Sequence, residues 1–166
     1  MQLGLDFTAE PEPTRQFFCI VRHGDYKDGR LDDRGRKKME HLGRTLKLRF
    51  KGLKVVLLSS PINRAKESAE ILGVNLEIPF TEHQCLAAPG DSLEPKQIGE
   101  SMRLFDEKCK EFDVVIFTTH MPFIDKFPTH WASTREFEIP RGFDRDKGSA
   151  VLIDVFARKW EHICGQ

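Results

Sequence analysis

Two arginines and two histidines of this chain occupy positions suited to chemistry rather than packing. Arg22-His23-Gly24 follows the apolar run Phe17-Phe18-Cys19-Ile20-Val21, Arg64 follows Ser59-Ser60-Pro61, and Thr119-His120 follows Val114-Val115-Ile116-Phe117. Short apolar runs bounded by polar residues read as buried strands of a parallel sheet. Open α/β sheets bind ligands in the crevice beyond the carboxyl ends of such strands. Residues distant in sequence thereby share one edge. A guanidinium is costly to bury without an anionic partner, and no carboxylate cluster or cysteine set accompanies these residues. Arg22, His23, Arg64 and His120 therefore predict a pocket for a tetrahedral oxyanion, phosphate foremost. Guanidinium groups present paired donors to it and stabilise the charge that spreads over its oxygens during transfer. Gly24 is expected to let the backbone turn and a substrate come close.

The elements that must position these residues alternate along the chain. After the first strand, Asp32 or Asp33 caps a helix with Met39, Leu42, Leu46 and Phe50 on its apolar face. A strand over 53–58 follows, and Ser59-Ser60-Pro61 is expected to open the next helix, serine as cap and proline in the first turn, with Ala65, Ala69 and Leu72 inward. A short third strand is predicted over 76–79, then a loop over 80–95 holding Glu82, His83 and Asp91. Ile98, Met102, Phe105, Cys109 and Phe112 form one helical face; a strand over 114–117, a helix over 121–131 and a last strand over 150–156 complete the series. This order predicts an α/β three-layer sandwich, a mostly parallel central sheet with helices on both faces. Residues 1–16, bearing Pro11 and Pro13, read as a loosely ordered N-terminal arm, and residues 17–166 as a single domain.

Composition narrows the partners. Lysine plus arginine and aspartate plus glutamate each total 26 in the 166 residues, giving a formal net charge of zero, so no basic excess exists to hold nucleic acid by its backbone. No apolar run approaches the roughly 20 residues that cross a bilayer, and the first sixteen are too polar for a signal peptide; the expectation is a cytoplasmic protein without membrane association. Cys19, Cys85, Cys109 and Cys164 are scattered without a CxxC pair, which predicts reduced thiols and no metal site.

The segments CIVRHGD at 19–25, LDDRGRKKMEHLGRTL at 31–46, SSPINRAKESAEIL at 59–72 and VVIFTTHMP at 114–122 together resemble the histidine phosphatase superfamily, also called phosphoglycerate mutase-like, over about 17–156. The resemblance implies that His23 is a nucleophile that becomes transiently phosphorylated. It implies that Arg22, Arg64 and His120 clamp the phosphoryl oxygens, and that transfer proceeds in two steps without a divalent cation or other cofactor. Attack requires an unprotonated nitrogen facing phosphorus, hence an acceptor such as a backbone carbonyl on the other ring nitrogen.

Members acting on phosphate esters carry a carboxylic acid after the third strand. Glu82 is the preferred counterpart here, with Asp91 and Asp25 as alternatives and solvated loop carboxylates as the plainer reading. Larger relatives have insertions that close over a small metabolite, whereas this chain has only the 80–95 and 132–148 segments, which implies an open pocket. The short chain, the RHGD form and the LAAPGD segment at 86–91 resemble small bacterial phosphohistidine phosphatases. Phosphohistidine can leave as neutral imidazole and so has less need of a protein acid. The expected activity is a phosphatase acting on a phosphoprotein, including phosphohistidine, or another bulky phosphate. The alternatives are a small-molecule phosphomonoesterase and a non-catalytic phosphate-recognition module.

Overall fold

Alternation of side chains between two buried sheet faces decides the architecture. The computed structural model describes residues 15–140 and 146–165. Its elements run β1 (Phe17–Arg22), β2 (Tyr26–Lys27), β3 (Arg30–Leu31), α1 (Asp33–Arg49), β4 (Val55–Ser59), α2 (Asn63–Leu76), β5 (Phe80–Glu82), α3 (Pro95–Lys108), β6 (Val114–Thr119), α4 (Met121–Ser133), β7 (Ser149–Asp154) and β8 (Lys159–Cys164). Phe18, Ile20, Val115 and Phe117 pack on one face with Phe105, Phe127 and Trp131; Cys19, Val21, Val114 and Ile116 pack on the other with Met39, Leu42, Leu46 and Leu72. The predicted three-layer α/β sandwich is therefore present. Phe18 anchors the first core, its ring 4.4 Å from Phe105 and 4.9 Å from Phe117; truncating a buried phenylalanine of this kind to alanine costs about 3–5 kcal/mol.

The sheet order is β5-β4-β6-β1-β7-β8. β5, β4, β6 and β1 are parallel, while β7 and β8 extend the sheet antiparallel. Register then positions the site: Arg22 pairs with Thr119 and Ser59 with Thr118. One step beyond, His23 and His120 emerge side by side, with Ser60 on the neighbouring strand end.

Several local expectations are corrected. The helix before β5 continues to Leu76, so the third strand lies at 80–82 and not 76–79. Ser60 does not cap α2, whose N-cap is Ile62; its Oγ instead accepts from the Ile62 N–H at 3.2 Å, and Pro61 lies ahead of the helix. Of the two candidate caps Asp32 and Asp33, Asp32 is the one that caps α1, accepting from the Gly35 N–H at 2.8 Å as expected. Gly24 serves packing: a Cβ there would meet the Gly35 carbonyl oxygen at 2.7 Å, so α1 lies directly on the Arg22-His23-Gly24 turn. Gln16, assigned to the arm by sequence, is buried and donates to the carbonyls of Phe112 and Asp113, each at 3.1 Å. The remainder of the predicted arm, 1–14, lies outside the described residues. Among the described residues no helix is long and apolar enough to cross a membrane.

Candidate active site

His23 leaves β1 with its main chain still registered to β6, its N–H donating to the Thr119 carbonyl at 3.0 Å. The residue is 3% exposed. Its Nδ1 lies 2.9 Å from the Gly24 carbonyl oxygen, which can only accept, so Nδ1 carries the proton. Nε2 is left with its lone pair and accepts from Arg64 Nε at 3.1 Å. The backbone carbonyl needed to fix the tautomer is thus supplied by the residue next in sequence. Burial, followed by the charges of Arg64, Arg22 and Lys147, outweighs the Gly24 hydrogen bond and lowers the His23 pKa to about 4. The imidazole is neutral at physiological pH.

His120 stands with its ring centre 5.3 Å from that of His23, and its Nε2 is 2.8 Å from Ser60 Oγ. Burial, with His23, Arg64 and Arg22 nearby, lowers its pKa to about 3. Its buried Nδ1 has no hydrogen-bond partner among the described residues. Burial lowers the Arg22 pKa as well, against Tyr26, Asp146 and Asp25, which raise it; a guanidinium nonetheless keeps its charge. The structure therefore brings Arg22, His23, Arg64 and His120 to one sheet edge as two guanidinium cations around two neutral imidazoles, a set matched to a phosphoryl dianion. A dianion bound among them would favour protonation of His120.

α2 secures this group from below. Ser68, one turn beyond Arg64, donates from Oγ to the Arg64 carbonyl at 2.8 Å and accepts from the Gly24 N–H at 3.1 Å. Glu67, 7% exposed, binds the Leu31 N–H and Arg30 Nε at 2.7 Å each, tying the β2–β3 hairpin to the same helix. That hairpin presents Tyr26, whose ring centre is 5.1 Å from that of His23 and 4.8 Å from the Arg64 guanidinium. Sequence reasoning missed Ser60, Ser68, Glu67, Tyr26 and Lys147. Only Ser68 carried a usable signal, its four-residue offset from Arg64.

The carboxylates predicted as acids stand differently. Glu82 reaches the same sheet edge, paired in register with Ser59, but is exposed, with its carboxylate 2.8 Å from Lys66 Nζ. Asp91 is exposed on the loop, its carbonyl accepting from Lys126 Nζ at 3.2 Å. Asp25 lies 2.9 Å from Lys38 Nζ and 3.7 Å from Arg34. Burial pushes its pKa up, but Lys38 and Arg34 prevail and hold it below the usual carboxylate value, the opposite of what a proton donor needs. Among the described residues no group of three or more histidine, cysteine or acidic side chains is arranged to hold a metal ion.

Comparison with known proteins bears on the family pattern and on the fold. The model of the histidine phosphatase superfamily (branch 1) matches residues 18–88, a span that includes Arg22, His23, Arg64 and Glu82 and stops before His120. No curated protein matches the chain by sequence. Among solved structures, the protein histidine phosphatase SixA in complex with tungstate superposes with a TM-score of 0.65 at 18% identity, covering 90% of this chain and 97% of its own. A mycobacterial glucosyl-3-phosphoglycerate phosphatase in complex with VO3 gives 0.64 at 14% identity, covering 89% and 97%. A further structure, mycobacterial hydrolase 1, gives 0.65 at 15% identity, covering 89% and 96%. The chain thus carries the histidine phosphatase superfamily pattern over residues 18–88 and the fold of these phosphatases over nearly its whole length.

Proposed function

We propose that this chain is a phosphatase that works through a phosphohistidine intermediate on His23, needs no divalent cation, and acts on phosphoproteins, with phosphohistidine the preferred bond. The carrying observation is the tautomer of His23, protonated at Nδ1 against the Gly24 carbonyl and bearing its lone pair on Nε2 beside Arg64. In the first displacement the Nε2 lone pair forms the bond to phosphorus while the bond to the leaving group breaks; the leaving group departs with the electron pair. In the second, water attacks phosphorus and the N–P bond breaks; the N–P electron pair returns to Nε2, and the protons of the water leave with the inorganic phosphate. Arg22, Arg64 and His120 hold the phosphoryl oxygens through both steps, and positioning with charge stabilisation supplies the rate.

The leaving-group side supports the substrate class. Glu82 and Asp91 are exposed and Asp25 is held ionised, so a substrate that departs as neutral imidazole suits the site better than an alkoxide. The name of the SixA neighbour points the same way. A small-molecule phosphomonoesterase is the second reading, favoured by the place of Glu82 on the same sheet edge. Turnover of a phosphohistidine peptide and of p-nitrophenyl phosphate, with wild type and with Glu82→Gln, tests both. The proposal expects peptide turnover that survives Glu82→Gln. Loss of all ester turnover in that variant, with no peptide turnover in wild type, supports the second reading. Absence of turnover with every phosphorylated substrate leaves only phosphate recognition.

A further inference from the structure

One cation beside His23 has no part in the clamp. Lys147 lies on the turn ahead of β7, where the Gly148 N–H donates to the His23 carbonyl at 2.9 Å and Lys38 Nζ donates to the Lys147 carbonyl at 3.2 Å. The main chain of this turn is therefore fixed against the site from two sides. Lys147 is half-buried as a residue, and its ammonium stands 4.9 Å from the centre of the Tyr26 ring, the ring that also meets Arg64 and His23. Among the described residues no carboxylate lies within ion-pair distance of it; the nearby Asp25 carboxylate is engaged by Lys38 at 2.9 Å. An aromatic face stabilises a partly desolvated ammonium less than a charge-assisted hydrogen bond to an anion does. Lys147 is thus pre-positioned, by backbone and ring, for an anion that arrives from outside the fold. Because the same Tyr26 ring meets both it and Arg64, and its charge is felt at His23, its position suits a neighbour of the phosphoryl group.

We propose that Lys147, held by Tyr26, receives a carboxylate adjacent to the phosphorylated side chain, so that the site selects phosphoprotein segments with an acidic residue next to the phosphorylated one. The inference rests on the phosphatase reading for its substrate class, and on the Lys147–Tyr26 geometry for the second anion site.

Two phosphopeptides differing only in Asp or Asn beside the phosphorylated residue provide the test. Wild type is expected to favour the Asp peptide by about tenfold in kcat/KM. Lys147→Arg should retain the preference, Lys147→Ala should remove it, Tyr26→Leu should weaken it, and Lys147→Glu should reverse it. Equal losses on both peptides, or a preference that persists in Lys147→Glu, would overturn the inference and leave Lys147 a purely structural role. If wild type turns over neither peptide, the phosphatase reading fails. Equilibrium binding of phosphoglycolate against ethyl phosphate then decides the second anion site. Tighter phosphoglycolate binding that depends on Lys147 supports it, and equal binding by wild type overturns it.

Discussion

The two sides of His23 are built to different standards. On the α2 side, Arg64, Ser68 and Glu67 are bonded to the imidazole, to the Gly24 amide and to the β2–β3 hairpin, mostly out of solvent. On the side of the 80–95 loop, Glu82 and Asp91 stand exposed, and Glu82 meets a surface lysine. Rigid, cross-linked donors are what phosphoryl-group recognition requires, because stabilisation is largest when the dipoles need no reorganisation. A solvated carboxylate offers no such preorganisation for proton transfer. Under the proposed function, the contrast implies commitment to the phosphoryl group and leniency toward what leaves.

The most severe way to break the contrast is to remove a bonded donor. Arg64→Ala is expected to lower kcat/KM by roughly 10²–10³-fold on every phosphorylated substrate alike, measured by steady-state kinetics; a loss confined to one substrate class would contradict a shared clamp.

A second consequence concerns pH. Burial, then the neighbouring cations, depress His23 to about 4 and His120 to about 3 in the folded chain, against about 6.5 when unfolded. Between those values the unfolded chain binds the protons and the folded chain does not, so stability falls as pH drops from about 6.5 toward 4, by a few kcal/mol. Thermal melts across this range should show the decline, and a His23→Asn/His120→Asn variant should flatten it; an unchanged slope would contradict the burial of two neutral imidazoles. On the same grounds kcat/KM should not fall on account of His23 until about pH 4.

Glu67 sharpens the comparison on the bonded side. Burial pushes its pKa up, but the Leu31 amide, Arg30 and Arg36 outweigh it and hold the group below its ordinary value. Its contribution to stability is present above the unfolded carboxylate value and is lost as pH falls through the lower folded one. Glu67→Gln is expected to cost about 1–3 kcal/mol and, by loosening the hairpin that carries Tyr26, to raise KM more than it lowers kcat. A Tm unchanged in Glu67→Gln would show the hairpin to be held by other means. Glu82→Gln is the mildest change, expected to stay within about threefold of wild type on a phosphohistidine peptide; a 100-fold loss there would place the acid on the loop and dissolve the asymmetry.

The parts of the molecule legible in the sequence are those with strong periodicity or steric punctuation. β1 and β6 are continuous apolar runs, and α1 shows a clear apolar stripe with an aspartate cap. Arg22, His23 and His120 were legible because they end or directly follow such strands, and Arg64 because it comes just after the polar Ser59-Ser60-Pro61 that closes β4. β8 was not, because Lys159–Cys164 is a half-exposed edge strand mixing Lys159, Glu161 and His162 with Trp160 and Ile163. The β2–β3 hairpin has two residues per strand, too few to show any period. Tyr26 and Lys147 meet only because β7 runs antiparallel beside β1 and returns its leading turn to His23. That juxtaposition depends on topology, not on local sequence.

The central claim is that Nε2 of His23 carries the phosphoryl group in turnover. Rapid acid-free quenching of wild type mixed with a ³²P-labelled phosphopeptide, followed by mapping of the labelled residue, tests it directly. The account predicts one acid-labile, alkali-stable phosphate on His23 that is absent from His23→Ala, together with turnover lowered at least about 10⁴-fold in that variant. Label on another residue, or undiminished turnover by His23→Ala, would contradict it.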